Sequence, residues 1–230
     1  MVERMSPVRL SIVIPVYKDA QALQGLLRAL APLLDGLTEV IVVDGAGDDE
    51  SAAVAQRAGC RLIRSAPGRG RQLNAGCRLA RGEWLWLLHA DTRAPADALA
   101  YVRRQQALAW GRFDVAFSQP TPMLRVVALL MNWRSRLTGV CTGDQGMFVH
   151  RRLLLAVHGV PELPLMEDVE LSSRLKRLSR PLCPSIALET SPRRWMRDGV
   201  LRTVLSMWWF RLRYWWGADP TELARAYYGR

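Results

Sequence analysis

Lysine is almost missing from this chain. Lys18 and Lys176 are the only two, so the net charge of +11 rests on arginine. Arginine's planar fork suits phosphates, which points to polyanionic ligands or an anionic membrane surface, with solvated surface charge as the ordinary alternative. Cysteine is scarce as well. Cys60, Cys77, Cys141 and Cys183 are widely spaced with no C-x-x-C pair, which disfavours a zinc knuckle and favours buried free thiols in a reducing compartment. No run reaches the roughly 18 uncharged apolar residues of a membrane span. The apolar stretch Leu10–Val16 is too short for a signal peptide, and Lys18-Asp19 follows at once, so a cytoplasmic location is expected. Repeats and low-complexity tracts are absent. The 230 residues, half of them apolar, fit one α/β domain with an appendage and a sizeable core.

Within that frame, two apolar runs each stop on an aspartate. Glu39-Val40-Ile41-Val42-Val43 ends at Asp44-Gly45, and Glu83-Trp84-Leu85-Trp86-Leu87-Leu88 ends at His89-Ala90-Asp91-Thr92. Short continuous apolar runs read as strands buried on both faces of a parallel sheet. Ligands of such sheets bind beyond the carboxyl ends of the strands, where both carboxylates fall. Leu10–Ile14 and Cys60–Ile63 supply two more strands. Helices are expected from Asp19 through Leu34, over Ser51–Ala58 with Gly59 closing it, and over Arg71–Ala80. This alternation predicts a doubly wound, Rossmann-like, mostly parallel sheet. The second half predicts helices over Pro95–Ala109, Met123–Leu137 and Glu167–Leu178. Strands are expected at Phe113–Phe117, Met147–Val149 and Ile186–Leu188. Composition shifts after Ser191-Pro192 to a segment rich in arginine and tryptophan, which places a boundary between a catalytic region (1–190) and a helical C-terminal extension (191–230).

Each candidate residue has two readings. Asp44-Gly45 fits a tight turn, and equally a carboxylate that accepts from a ribose hydroxyl or a base N–H. Asp91 fits a cap for the helix near Pro95, or a ligand for a hard cation that takes its other oxygens from substrate phosphates. Arg69 and Arg71 flank a helix start in Gly68-Arg69-Gly70-Arg71, where an anion is favoured. Solvated arginine is the competing reading and fits Arg69 better than Arg71. Glu167-Asp168 complements the dipole of its helix, or supplies a general base.

Together these pieces resemble the family 2 glycosyltransferases of the GT-A fold. The matching motifs are Ile12-Val13-Ile14-Pro15-Val16-Tyr17, Val42-Val43-Asp44-Gly45 and Gly70-Arg71-Gln72-Leu73-Asn74-Ala75-Gly76. They continue with Leu87-Leu88-His89-Ala90-Asp91-Thr92, Gly143-Asp144-Gln145-Gly146 and Met166-Glu167-Asp168-Val169-Glu170-Leu171. Thr190-Ser191-Pro192-Arg193-Arg194-Trp195 resembles the branch associated with radical-SAM or arsenosugar gene clusters. The resemblance implies that Pro15, Tyr17 and Asp44 hold a nucleotide, with Arg71 near its diphosphate. It makes Gly45, Asn74, Ala90, Gly143, Asp144 and Gln145 further donor-site candidates. Asp91 stands at the metal-binding position, and Asp168, with Glu167 beside it, at the general base. Two departures stand out. The usual Asn-Glu after the first strand is Lys18-Asp19, and Asp-x-Asp is His89-Ala90-Asp91, so one metal-binding carboxylate is missing.

By this resemblance the chain is expected to be an inverting glycosyltransferase. It would move a sugar from a nucleotide-sugar donor, a UDP-sugar first, to an acceptor hydroxyl with Mn2+ or Mg2+. Two rivals are a metal-dependent nucleotidyltransferase and a basic nucleic-acid-binding module. The second is disfavoured because the aromatics cluster in the tail, so no nucleic acid is expected. On a helix, Trp208, Leu212, Trp215 and Trp216 share one side. That stripe fits an anionic inner membrane face, and equally packing against the catalytic region or a second copy in a homodimer.

Overall fold

Four parallel strands form the spine of the protein: β1 (Leu10–Val16), β2 (Thr38–Asp44), β3 (Arg61–Arg64) and β4 (Trp84–Leu87). The computed structural model describes residues 8–229. Two short strands, β6 (Trp110–Gly111) and β8 (Phe148–His150), complete a six-stranded sheet of order β3-β2-β1-β4-β8-β6, with β8 antiparallel to both of its neighbours. A second sheet joins β5 (Thr92–Arg93), β9 (Ala187–Thr190) and β7 (Asp114–Phe117), in that order. The architecture is α/β with a mostly parallel central sheet, as the sequence implied.

Alternation along β1 shows why both faces are apolar. Leu10, Ile12 and Ile14 point into one core layer with Leu23, Leu26 and Leu30 of α1 (Ala20–Leu30), while Val13 enters the opposite layer with Ile41, Val43 and Leu73. α2 (Asp49–Arg57) and α4 (Ala96–Arg104) cover the first face. α3 (Arg69–Leu79), α6 (Arg151–Ala156) and α7 (Glu167–Lys176) cover the second. Gly76 lets α3 press onto the sheet, since a Cβ there would collide with Val13 and Val43. Asp19 caps α1 by accepting from Ala22 N at 3.2 Å, and Asp48 caps α2 through Ser51 N at 2.8 Å.

Several boundaries differ from expectation. The helix after Pro95 stops at Arg104 instead of Ala109, because Gln105 turns extended and the chain must reach β6. α6 and the two-residue strands β5 and β6 carry no pattern long enough to register. The strand toward Asp91 ends at Leu87, and Thr92 N closes a turn onto His89 O at 3.1 Å. Cys77 and Cys141 are buried free thiols, whereas Cys60 and Cys183 are only half-buried.

After β9 come α8 (Arg193–Asp198), α9 (Val200–Trp215) and α10 (Pro220–Tyr228). They pack on the rest of the chain. Trp195, Val200, Val204 and Met207 join the cluster under α5 (Pro122–Thr138). Phe210, Leu223 and Ala224 pack with Leu165, Met166 and Val169.

Candidate active site

The parallel strands deliver the first group of residues. β2, β1 and β4 lie side by side and run the same way, so Asp44, Tyr17 and the His89–Asp91 turn line one edge of the sheet. Asp44 is fully buried. Its Oδ1 accepts from Ala46 N at 2.8 Å, which is the turn, but Oδ2 is buried with no partner. A buried acceptor left unspent is uncommon, and Asp44 Oδ2 is such an acceptor at the carboxyl edge of the sheet. Gln72 fixes this edge by donating from Nε2 to Val16 O and Val43 O, both at 2.8 Å. Gly45 lies against that amide, where any Cβ would collide. Pro15 is buried inside β1, and Tyr17 stands exposed just beyond it.

Arg69 organises the second group. Its guanidinium pairs with Glu167, reaches Asp168 Oδ2 at 3.3 Å, and lies 3.2 Å from His89 Nε2. On the other side of the ring, His89 Nδ1 is 3.2 Å from Asp144 Oδ1. Asp168 Oδ2 also accepts from Gly143 N at 2.8 Å. α7 begins one residue earlier, from Met166 in the left-handed region at φ 68°, and this turn aims Glu167 inward and Asp168 toward the opening. Gly143 must be glycine here, because a Cβ would strike His89.

These residues line a cavity of about 260 Å³, walled by Asp91, Gly143, Asp144 and Asp168, with Arg194, Phe210 and Arg211 from the C-terminal helices. The structure thus gathers Asp91, Gly143, Asp144 and Asp168 in one place. Glu167 sits behind them, nearly fully buried. Arg71 is exposed on α3. Asn74 ties the loop after α6, donating to Glu162 at 2.7 Å and accepting from Val160 N at 3.2 Å. Gln145 is buried and holds its own turn, bonding Thr142 N at 3.2 Å and Ser135 Oγ at 2.9 Å. Ala90 lines a shallow groove beside Arg93 and Glu189. The solvated reading of Arg69 is corrected, since three side chains hold it in the site. Asp91 caps nothing, because Pro95 is the residue that precedes α4. Spacing also gave no hint of Arg194 or Arg211, which reach the cavity only through tertiary packing of a segment set apart by composition.

Charge in the cavity is finely divided. Burial pushes the Asp91 carboxyl above the usual range against the pull of His89, and the nearby charge of Asp144 adds to the rise. Asp144 moves the other way: burial opposes it, but the His89 contact, Arg69 and Arg194 hold it low. Among the described residues, no three histidine, cysteine or acidic side chains gather closely enough to cage an ion. One half-buried carboxylate at the cavity wall with a second nearby still suits a hard cation that takes its remaining oxygens from phosphates and water. The buried thiols are no rivals as nucleophiles, since burial pushes Cys77 and Cys141 up to about 12.

A parallel sheet with acids at its carboxyl edge, an antiparallel strand beside it and a second small sheet is the GT-A fold. Solved structures of that fold match over most of the chain. A mannosyltransferase from Pyrobaculum calidifontis in complex with GDP-Man and Mn2+ aligns with a TM-score of 0.63 at 20% identity, over 81% of this chain and 59% of its own. A glucosyl-3-phosphoglycerate synthase from Mycobacterium tuberculosis, with Mn2+, UDP and glucosyl-3-phosphoglycerate, aligns with a TM-score of 0.59 at 19% identity, over 79% of this chain and 70% of its own. Residues 11–151 match the family described as Glycosyl transferase family 2, and the chain belongs to it. Among curated relatives, an undecaprenyl-phosphate 4-deoxy-4-formamido-L-arabinose transferase of Pseudomonas fluorescens is 29% identical over 167 residues, which is 63% of this chain and 48% of that protein. This chain therefore spans about half the length of that relative.

Proposed function

We propose that the protein is an inverting glycosyltransferase that moves a sugar from a nucleotide-sugar donor, a UDP-sugar first, to an acceptor hydroxyl. The observation that carries this reading is the convergence of Asp91, Asp144 and Asp168 on one cavity beside the sheet edge that bears Asp44. Asp44 and Tyr17 take the nucleoside, and Asp91, with Asp144 near it, holds a divalent cation. A bound Mn2+ or Mg2+ supplies neutralising charge to the leaving diphosphate. Asp168, fixed by Arg69 and Gly143 N, faces the cavity and takes the proton of the acceptor hydroxyl. Glu167 lies behind Arg69 and positions that guanidinium. Mn2+ and nucleotides in complexes of relatives with this fold support the donor assignment. Calorimetric titration with UDP and Mn2+ tests it: wild type binds UDP only with the metal, and Asp91→Ala loses that dependence. An unchanged metal requirement in the variant removes Asp91 from the role.

The same reading places the protein peripherally on the inner membrane face. No described helix is long and apolar enough to cross a membrane. α9 and Trp216, which closes it, instead turn Leu201, Leu205, Trp208, Leu212, Trp215 and Trp216 outward along an arc of about 100°. Trp208 is 68% and Trp216 73% exposed, so the stripe does not pack on the catalytic region; Thr203, Met207 and Phe210 do so from the opposite side. Arg202 and Arg213 flank it, each adding about 1 kcal/mol toward anionic lipid. Beside it, α5 exposes Leu129, Leu130 and Trp133 over the same cluster. A homodimer that buries these faces is the competing outcome. The undecaprenyl-phosphate relative, whose named substrate is a lipid, favours the membrane.

A further inference from the structure

His89 lines the cavity two residues before Asp91, and the transfer chemistry above leaves it without a task. Both of its ring nitrogens are occupied. Nδ1 lies 3.2 Å from Asp144 Oδ1, and Nε2 lies 3.2 Å from Arg69 Nη1. A guanidinium can only donate and a carboxylate can only accept. One arrangement of protons therefore serves both ends: Nε2 accepts from Arg69, and Nδ1–H donates to Asp144. Arg69 is anchored in turn by Glu167 and Asp168, so the ring is oriented from α3 and α7. His89 has no lone pair to offer a cation unless it gives up Arg69. It is placed to hold a ligand, not to be one.

The backbone that carries Asp144 is fixed as well. Leu87 N donates to Met147 O at 2.8 Å and Trp86 Nε1 to Gly146 O at 3.1 Å, which ties the Gly143–Gly146 turn to β4. Gly143 N donates to Asp168 Oδ2 at 2.8 Å, and the absence of a Cβ at 143 lets the turn lie against the imidazole. Three acids share this wall, and two of them face each other in charge. Asp168 is engaged by Arg69 and Gly143 N, whereas the charge of Asp144 reaches Asp91, whose carboxyl burial has already raised. Burial opposes ionised Asp144 too, but the His89 contact, Arg69 and Arg194 outweigh it. Two carboxylates that act on each other across a cavity leave a cation as the component that relieves both.

We propose that His89 is a positioning residue for the divalent cation: its Nδ1–H aims Asp144 into the cavity, where Asp144 joins Asp91 as the second carboxylate ligand. This rests on the metal-assisted reading of the same cavity. The acid absent from position 89 is thereby supplied from a turn 55 residues further on, and the imidazole that replaced it is what holds the substitute in place. Two protein carboxylates suit a hard cation that completes its shell with phosphate and water oxygens. A side chain that bonds a ligating group tunes affinity without touching the ion.

Mn2+ binding to the full chain with UDP present, read by electron paramagnetic resonance from the loss of the free-ion signal, tests this. Asp144→Asn and His89→Ala each weaken Mn2+ binding by about 10–100-fold, the usual cost of disturbing a metal site's supporting contacts. Two conservative variants separate the ends of the ring. Asparagine carries its amide nitrogen near ring Nδ1 and can still donate to Asp144, so His89→Asn keeps most of the wild-type affinity. Glutamine carries its amide near ring Nε2, toward Arg69, so His89→Gln behaves like His89→Ala. In the Asp144→Asn background His89→Ala adds no further loss, because His89 acts through that carboxylate. Melting curves confirm that the variants fold. Nitrogen NMR of the wild-type imidazoles without metal needs no variant: His89 carries its proton on Nδ1 and none on Nε2. Wild-type affinity in Asp144→Asn, His89→Gln binding better than His89→Asn, additive losses in the double variant, or a proton on Nε2 each overturn the proposal and leave Asp91 in its role. Wild type that binds no Mn2+ overturns the proposal together with the metal reading beneath it.

Discussion

Replacing Arg69 by glutamine should strand a buried carboxylate. Glu167 is 2% exposed, and Arg69 is its one hydrogen-bonding partner among the described residues. Removing one partner of a buried ion pair typically costs about 3–5 kcal/mol. Arg69 itself is about a third exposed, so water can enter once the guanidinium is gone, and the lower end of that range, about 3 kcal/mol, applies. In a chain of this length each kcal/mol lowers Tm by about 2–4 °C, which gives a drop of roughly 6–12 °C for Arg69→Gln. Glu167→Gln in the same chain removes the stranded charge. The double variant should therefore regain most of the loss, with a coupling of about 2–3 kcal/mol between the two sites. Thermal and urea unfolding of wild type, both single variants and the double variant read this directly. Melting of Arg69→Gln within about 2 °C of wild type, or a double variant no better than the single, would refute the account of how α3 is joined to α7.

Asp114 lies between Arg112 and Arg136; burial raises its carboxyl, but the bonds to Arg136 and Arg112 outweigh it and hold it below the ordinary 3.8. A depressed acid stabilises the fold above its unfolded value and loses that contribution as pH falls through the folded value. Tm of wild type should thus fall more steeply below about pH 4 than that of Asp114→Asn, and parallel Tm profiles in acid would count against the linkage. Gly146 has φ 53° and faces Leu188, so Gly146→Ala should destabilise by roughly 1–3 kcal/mol in urea unfolding, and a neutral result would show that the turn yields. Trp208→Ser with Trp215→Ser should abolish co-sedimentation with anionic liposomes while leaving Tm nearly unchanged; loss of a dimer in sedimentation analysis instead would assign the stripe to a second copy.

Much of the architecture was legible because the strands are apolar on both faces and β2 closes on Asp44, although β1 runs through Pro15 to Val16. Asp19 marked a helix start for a local reason, a side chain that bonds a backbone N–H three residues on, whereas Asp48, which caps α2 in the same way, precedes the expected start at Ser51. Short elements escaped because β5, β6 and α6 are held by tertiary hydrogen bonds instead of periodicity. The candidate site was legible where it sits on strand ends, as with Asp44 and Asp91, and at the start of α7. It was illegible where the chain folds back. Arg69 reads as solvent-facing until Glu167, 98 residues away, is placed beside it. The composition shift after Pro192 marked a separate extension, yet that segment supplies Arg194 and Arg211 to the cavity wall, since Phe210 and Leu223 anchor it on α7.

The central claim is tested most directly by the product released from sugar nucleotides in the presence of Mn2+, with wild type compared against Asp168→Asn. Asparagine keeps the size of the side chain but cannot take a proton. The account predicts metal-dependent release of a nucleoside diphosphate from at least one UDP-, GDP- or dTDP-sugar. It also predicts a fall in kcat of about 10²–10⁴-fold in the variant with donor affinity nearly unchanged. Release of pyrophosphate instead, or wild-type turnover by Asp168→Asn, would contradict it.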